Sequence, residues 1–129
     1  MDEAQLGLVA LVATGGALGS VLRYLISGAL TRGDFPWGTF AVNFSGTFLL
    51  VLIFFATQQG TLLGAPGRAF LFIGIFGGYT TFSTFGLETV SLFSEGQMTA
   101  ALTNVMLNAG VCLGGAWAAL ILGLALARL

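Results

Sequence analysis

Gly74 to Glu88 reads GIFGGYTTFSTFGLE. The stretch lies in the middle of a run otherwise apolar enough to cross a membrane. It holds four glycines, four serines and threonines and three phenylalanines, and it closes on an acid. Each Gly costs about 1 kcal/mol against Ala in a helix interior. Ser and Thr hydroxyls compete for backbone carbonyls. A spanning helix written this way is weakest at its centre, so the stretch predicts a break at Gly77-Gly78 and the residues after it, near the bilayer midplane. Non-helical backbone at that depth survives only inside protein or beside a wet cavity. Carbonyls freed at such a break can coordinate a cation. The competing reading is a kink that only improves packing.

The composition supports a membrane setting. Of 129 residues, 57% are hydrophobic and 7% are charged, whereas soluble domains carry about 25% charged residues. Long uncharged runs cover Ala4–Leu22, Trp37–Thr57, Ala69–Leu87 and Met98–Ala127. A membrane helix needs about 20 mostly apolar residues, and the first run reaches that length by continuing through Arg23 and Tyr24 toward Thr31. The expectation is one all-α membrane domain over residues 1–129, with four transmembrane helices at about 4–31, 37–57, 68–93 and 98–127. TRGDFP, QQGTLLGAPG and SEGQ are the connections, rich in Gly, Pro and charge. The start carries Asp2 and Glu3 rather than a basic segment, so the first run reads as a retained span rather than a signal peptide.

Several function classes recede at this point. The chain has no histidine and one cysteine, Cys112. No Ser-His-Asp, Cys-His or paired-carboxylate set can be assembled, which argues against an enzyme. Cys112 reads as a packing residue of the last span. No nucleic-acid partner is expected.

Orientation is balanced. Four spans put both termini and Arg68 on one side with Arg128, and Arg32 and Arg23 toward the other. Cytoplasmic loops normally hold the basic excess, and here two arginines face two. Either the chain inserts both ways round, which would permit an antiparallel homodimer, or four charges are too few to decide. A thin four-helix bundle with many polar residues also favours a partner copy, because polar groups in the membrane need protein or water around them.

In the first span Gly15 and Gly19 form a GxxxG pair suited to close helix approach. Arg23 lies in the same span, where it either snorkels outward or lines a wet vestibule and concentrates anions. The second span is small and polar in its first half, with Gly38, Thr39, Asn43, Ser45, Gly46 and Thr47, and large and apolar from Phe48 to Phe55. Asn43 serves either as interhelical glue or as a pore group. In the fourth span Asn104, Asn108 and Cys112 recur at spacing four, which places them on one helical face. Gly110, Gly114 and Gly115 supply close approach on a neighbouring face.

Beyond the break, Phe82, Phe85 and Glu88 recur at spacing three, with Ser83 and Thr84 between the rings. A phenyl ring has a positive edge, and an edge can partner an anion without a full charge. Asn43, Ser83 and Thr84 can donate to a small anion that has shed its water. No Arg or Lys lies in Ala69–Leu87, which suits conduction, since a full positive charge in the throat would hold an anion too long.

Taken together, GGALGSVLRY, WGTFAVNFSGTFLL, GGYTTFSTFGLE and NVMLN, in this order along essentially the whole chain, resemble the Fluc (CrcB) family of fluoride channels. The resemblance implies an antiparallel dual-topology homodimer with two fluoride pores, lying in the bacterial inner membrane and expelling cytoplasmic fluoride. It implies a structural sodium ion at the dimer centre, held by backbone carbonyls of Gly77 and Thr80 from both copies. Phe82, Phe85 and Asn43 then match pore positions, Ser83 and Thr84 a polar track, and Arg23 the vestibule. Thr39, Glu88 and Asn108 carry over as polar residues near the pore. The alternative is a small dual-topology proton-coupled multidrug exporter. That class needs a carboxylate inside the first span, and none lies between Glu3 and Arg32.

Overall fold

The computed structural model describes residues 2–129. Among them are four helical segments long and apolar enough to cross a membrane: Glu3–Leu30, Trp37–Ala56, Thr61–Ser94 and Met98–Leu126. The first begins at a capping box. Asp2 Oδ1 accepts the Gln5 amide at 2.7 Å and Gln5 Oε1 accepts the Asp2 amide at 3.1 Å. Its end lies at Leu30, with Thr31 as cap. The third segment starts earlier than position 68. A 3-10 turn, Thr61–Leu63, leads into a helix at Gly64–Arg68. Pro66 lies in that helix's first turn, where an amide has no intrahelical partner in any case, so the Gly- and Pro-rich connection is partly helical.

The helices pack through their glycines. Gly15 lies on Phe70 O and Gly19 on Ile75 O of the third span, so close that a Cβ at either would overlap backbone. Gly74 and Gly78 sit reciprocally against Gly15 and Gly16. Gly38 in the second span faces Ser27 O of the first, and its amide donates to Thr31 Oγ1 at 3.1 Å. The second and fourth spans meet where Gly115 faces the Phe44 ring and Gly123 faces Leu52 O. Gly114 meets nothing within 4 Å, so close approach in the fourth span uses Gly115 and Gly123.

The third span is interrupted, one turn beyond the glycine pair. Gly77–Tyr79 is helical. Thr80 and Thr81 are extended, with φ/ψ of −83°/156° and −149°/115°, and a helix resumes over Phe82–Ser94. Gly78 is required for contact with Gly16 rather than for an unusual dihedral. The extended residues are threonines, whose β-branched side chains tolerate that backbone well. Two π-helical stretches, Ala69–Phe76 and Met106–Val111, flank this region. The core is thin. Val42, Phe76, Tyr79, Phe85, Leu92, Ala101, Cys112 and Ala119 are its buried hydrophobic side chains, together with Ala69.

Candidate functional site

The interruption is held open from the second span. The Thr81 amide, which a continuous helix would give to Gly77 O, donates instead to Asn43 Oδ1 at 2.7 Å. Asn43 Nδ2 returns a bond to Thr81 O at 3.0 Å. One side chain thus satisfies both polar groups of a backbone unit that would otherwise be bare in the membrane. The second amide hydrogen of Asn43 goes to Asn108 Oδ1 at 2.8 Å. Both of its donors are taken by protein, so in this structure Asn43 acts first as a clamp on the break.

The Thr80 amide makes the last regular bond, to Phe76 O at 3.1 Å, and its hydroxyl bonds the same carbonyl at 2.9 Å. Gly77 O is therefore left out of the helical ladder. Gly77 is exposed on the single chain. Thr80 O meets the Arg23 guanidinium at 3.4 Å. These neutral carbonyl oxygens are the donor type that a hard monovalent cation takes. One chain supplies two such oxygens, of which Thr80 O is shared with Arg23.

Thr81 also caps the helix that follows. Its Oγ1 accepts the Thr84 amide at 3.2 Å and donates to Thr84 Oγ1 at 2.9 Å. Ser83 Oγ lies 3.3 Å from the same oxygen. Because Thr84 accepts at its oxygen, its own hydroxyl proton is free to point elsewhere. Thr81 is not among the sequence-derived candidates, although a Thr three residues before another hydroxyl, at a helix start, is a local capping signal.

Two cavities meet at Thr81. The smaller, about 220 Å³, is lined by Asn43, Thr47, Thr80, Thr81, Phe82, Phe85, Asn108, Ala109 and Cys112. The larger, about 390 Å³, is lined by Ser20, Arg23, Tyr24, Ser27, Gly28, Thr39, Thr81 and Thr84. The first contains no charged side chain and the second contains Arg23 alone. Phe82 and Phe85 lie edge to face, with centroids 5.4 Å apart and planes at 69°. Phe85 is buried, whereas Phe82 is 83% exposed on the single chain. Ser83 is exposed and lines neither cavity.

Glu88 lies one turn beyond Thr84. Its Oε1 accepts the Thr39 hydroxyl at 2.6 Å, and Thr39 is 1% exposed. Glu88 Oε2 is buried without a hydrogen-bond partner. The arrangement brings the aromatic pair, Asn43, Thr84, Arg23, Thr39, Glu88 and Asn108 around one interruption of the third span. Chemically it offers hydroxyl donors, ring edges and one guanidinium.

Residues 10–123 match the family model described as CrcB-like protein, Camphor Resistance (CrcB). The chain is 46% identical over 110 residues to the fluoride-specific ion channel FluC of Geobacter sulfurreducens, a match covering 83% of this chain and 89% of that one. It is 45% identical over 113 residues to the protein of the same name from Rhodospirillum rubrum, covering 82% and 86%. The corresponding protein of Agrobacterium fabrum is 42% identical over 118 residues, covering 89% and 94%.

Proposed function

The chain belongs to the CrcB-like family, and from that membership we propose that it is a fluoride-selective channel, conducting the ion passively out of the bacterial cytoplasm across the inner membrane. The observation that carries the reading within this structure is the pair of cavities meeting at Thr81, one walled by Phe82 and Phe85 and the other by Arg23 and Thr84. Fluoride is small and strongly hydrated, so a path for it must replace water with donors. Arg23 concentrates the anion at the wider cavity. The free hydroxyl proton of Thr84 and the ring edges of Phe82 and Phe85 then share it along the path, while Ser83 lies outside both cavities on the exposed face beside them. Asn43 and Asn108 line the narrower cavity, and Thr39, on the wall of the wider one, joins Glu88 to it. The absence of a full positive charge beside the rings favours exit as well as entry.

The working unit is proposed to be an antiparallel homodimer of dual topology. Irregular backbone is not tolerated facing lipid, yet the break leaves Gly77 exposed and its carbonyl free. A second copy laid against this face covers it and shelters Phe82. Carbonyls of Gly77 and Thr80 from both copies would then hold a sodium ion, whose charge offsets the converging carbonyl dipoles.

The test is fluoride efflux from liposomes containing the purified protein, read with a fluoride electrode. Efflux far above protein-free liposomes, with chloride retained, is the expected result. Liposomes that hold fluoride as well as the protein-free controls would overturn the proposal.

A further inference from the structure

The backbone that carries the rings of the proposed pore is tied at Thr81 and at Phe85 by a single directed chain of hydrogen bonds, and Asn104 stands in its middle. Asn104 is 0% exposed and lines neither cavity of the site. Its Nδ2 donates to Thr89 Oγ1 at 3.0 Å, and Thr89 Oγ1 donates to Phe85 O at 2.7 Å. On its other side, Asn104 Oδ1 accepts from Asn108 Nδ2 at 2.9 Å. Asn108 Oδ1 accepts from Asn43 at 2.8 Å, and Asn43 Oδ1 accepts the Thr81 amide at 2.7 Å.

The direction of every bond in this chain is dictated by its ends. The Thr81 N–H can only donate, so Asn43 must present its carbonyl oxygen there and its amide hydrogens elsewhere. That obliges Asn108 to turn Oδ1 toward Asn43 and Nδ2 toward Asn104. Asn104 in turn faces Asn108 with its oxygen and Thr89 with its amide. The Thr89 hydroxyl, receiving a proton, sends its own to Phe85 O, which can only accept. The chain starts at the residue before Phe82 and ends at the backbone of Phe85. It crosses the second and fourth spans on the way.

We propose that Asn104 is a positioning residue for the aromatic pair, and that it sets how the turn carrying Phe82 and Phe85 lies against the second and fourth spans, through Asn108 and Asn43 on one side and Thr89 on the other. The proposal rests on the channel reading above. A carboxylate at position 104 has the shape of Asn but no donor. It would take the Thr89 proton for itself, leaving Phe85 O with only its helical bond from the Thr89 amide, which reverses the chain at one link.

Asn104→Asp and Thr89→Val, each reconstituted as the full chain in liposomes, test this against Thr89→Ser, which keeps the hydroxyl. The readouts are fluoride efflux, the ratio of fluoride to chloride efflux, and thermal stability in detergent. Expected are losses of about tenfold in fluoride efflux and in the ratio for Asn104→Asp and Thr89→Val, with Thr89→Ser matching the wild type. If Thr89→Val does not fold, Asn104→Asp, nearly isosteric, decides. Wild-type efflux and ratio in Asn104→Asp or in a folded Thr89→Val would overturn the positioning role and leave the channel reading intact. Losses of efflux that follow thermal stability, with an unchanged ratio, would reduce the chain to a structural one. No fluoride efflux from the wild type would remove both proposals together.

Discussion

At the scale of single residues, the proposed pore rests on the aromatic pair and its hydroxyls. The Phe82–Phe85 contact is edge to face, an arrangement worth about 0.5–1.5 kcal/mol beyond area burial. If that contact sets the ring edges along the path, Phe85→Ile should lower fluoride efflux by about two- to tenfold without dispersing the assembly on size exclusion. Phe82→Ile should do the same. Unchanged efflux in both variants would refute their place in the pore. Thr84→Val removes the one hydroxyl proton of the Thr81–Thr84 pair that is not committed to protein. Its efflux should fall while Thr84→Ser stays near wild type, measured in the same liposome assay. The spacing of these hydroxyls and aromatics is written locally in the sequence and marks them as candidates. Thr81 is not among them. Its weight comes from lying between two cavities and from a bond to a residue 38 positions away, and neither is written locally.

At the scale of elements, the glycines and the break separate into two functions. Gly15, Gly19, Gly74 and Gly78 lie where the first and third spans touch backbone to backbone. Gly19→Val would drive side-chain atoms into Ile75 O and the Tyr79 amide. Overpacking of this kind costs about 1–3 kcal/mol, so the variant should melt earlier in detergent and yield less folded protein. Gly114→Val, where nothing lies within 4 Å, should be neutral in the same measurement. The interruption belongs to Thr80 and Thr81, and its cause is the Asn43 clamp. Glycine and hydroxyl content pointed to a weak centre. Which residue would leave the helix depended on where an amide from another span could catch its N–H.

At the scale of the whole molecule, one chain leaves its most irregular backbone uncovered. Gly77 is exposed beside the break, and Phe82 projects from the surface. The proposed second copy would cover both. If the copies run antiparallel, Asp34→Cys in a Cys112→Ala background should react only about half with a membrane-impermeant maleimide added outside, and fully after permeabilisation, given that charge balance leaves no preferred side. Complete labelling from outside, or none, would exclude dual topology. Replacing sodium with a large organic cation during purification should weaken the assembly or slow efflux, read by mass photometry and by the electrode, if the carbonyls of Gly77 and Thr80 share a cation.

The amino-acid sequence by itself determined the solvent, the number of spans, the family and the place of the weak centre. These follow from composition, run length and short motifs, which are local quantities that need no partner to be read. Only the tertiary structure decided which glycines pack and which residues break the helix. It also decided that Asn43 serves the backbone before any ion, and that GIFGGYTTFSTFGLE is tied to Asn104 through Asn108 and Asn43 on one side and Thr89 on the other. The physical reason is that hydrogen bonds between spans join donors and acceptors far apart in the chain, and their directions follow from what each end can give or take.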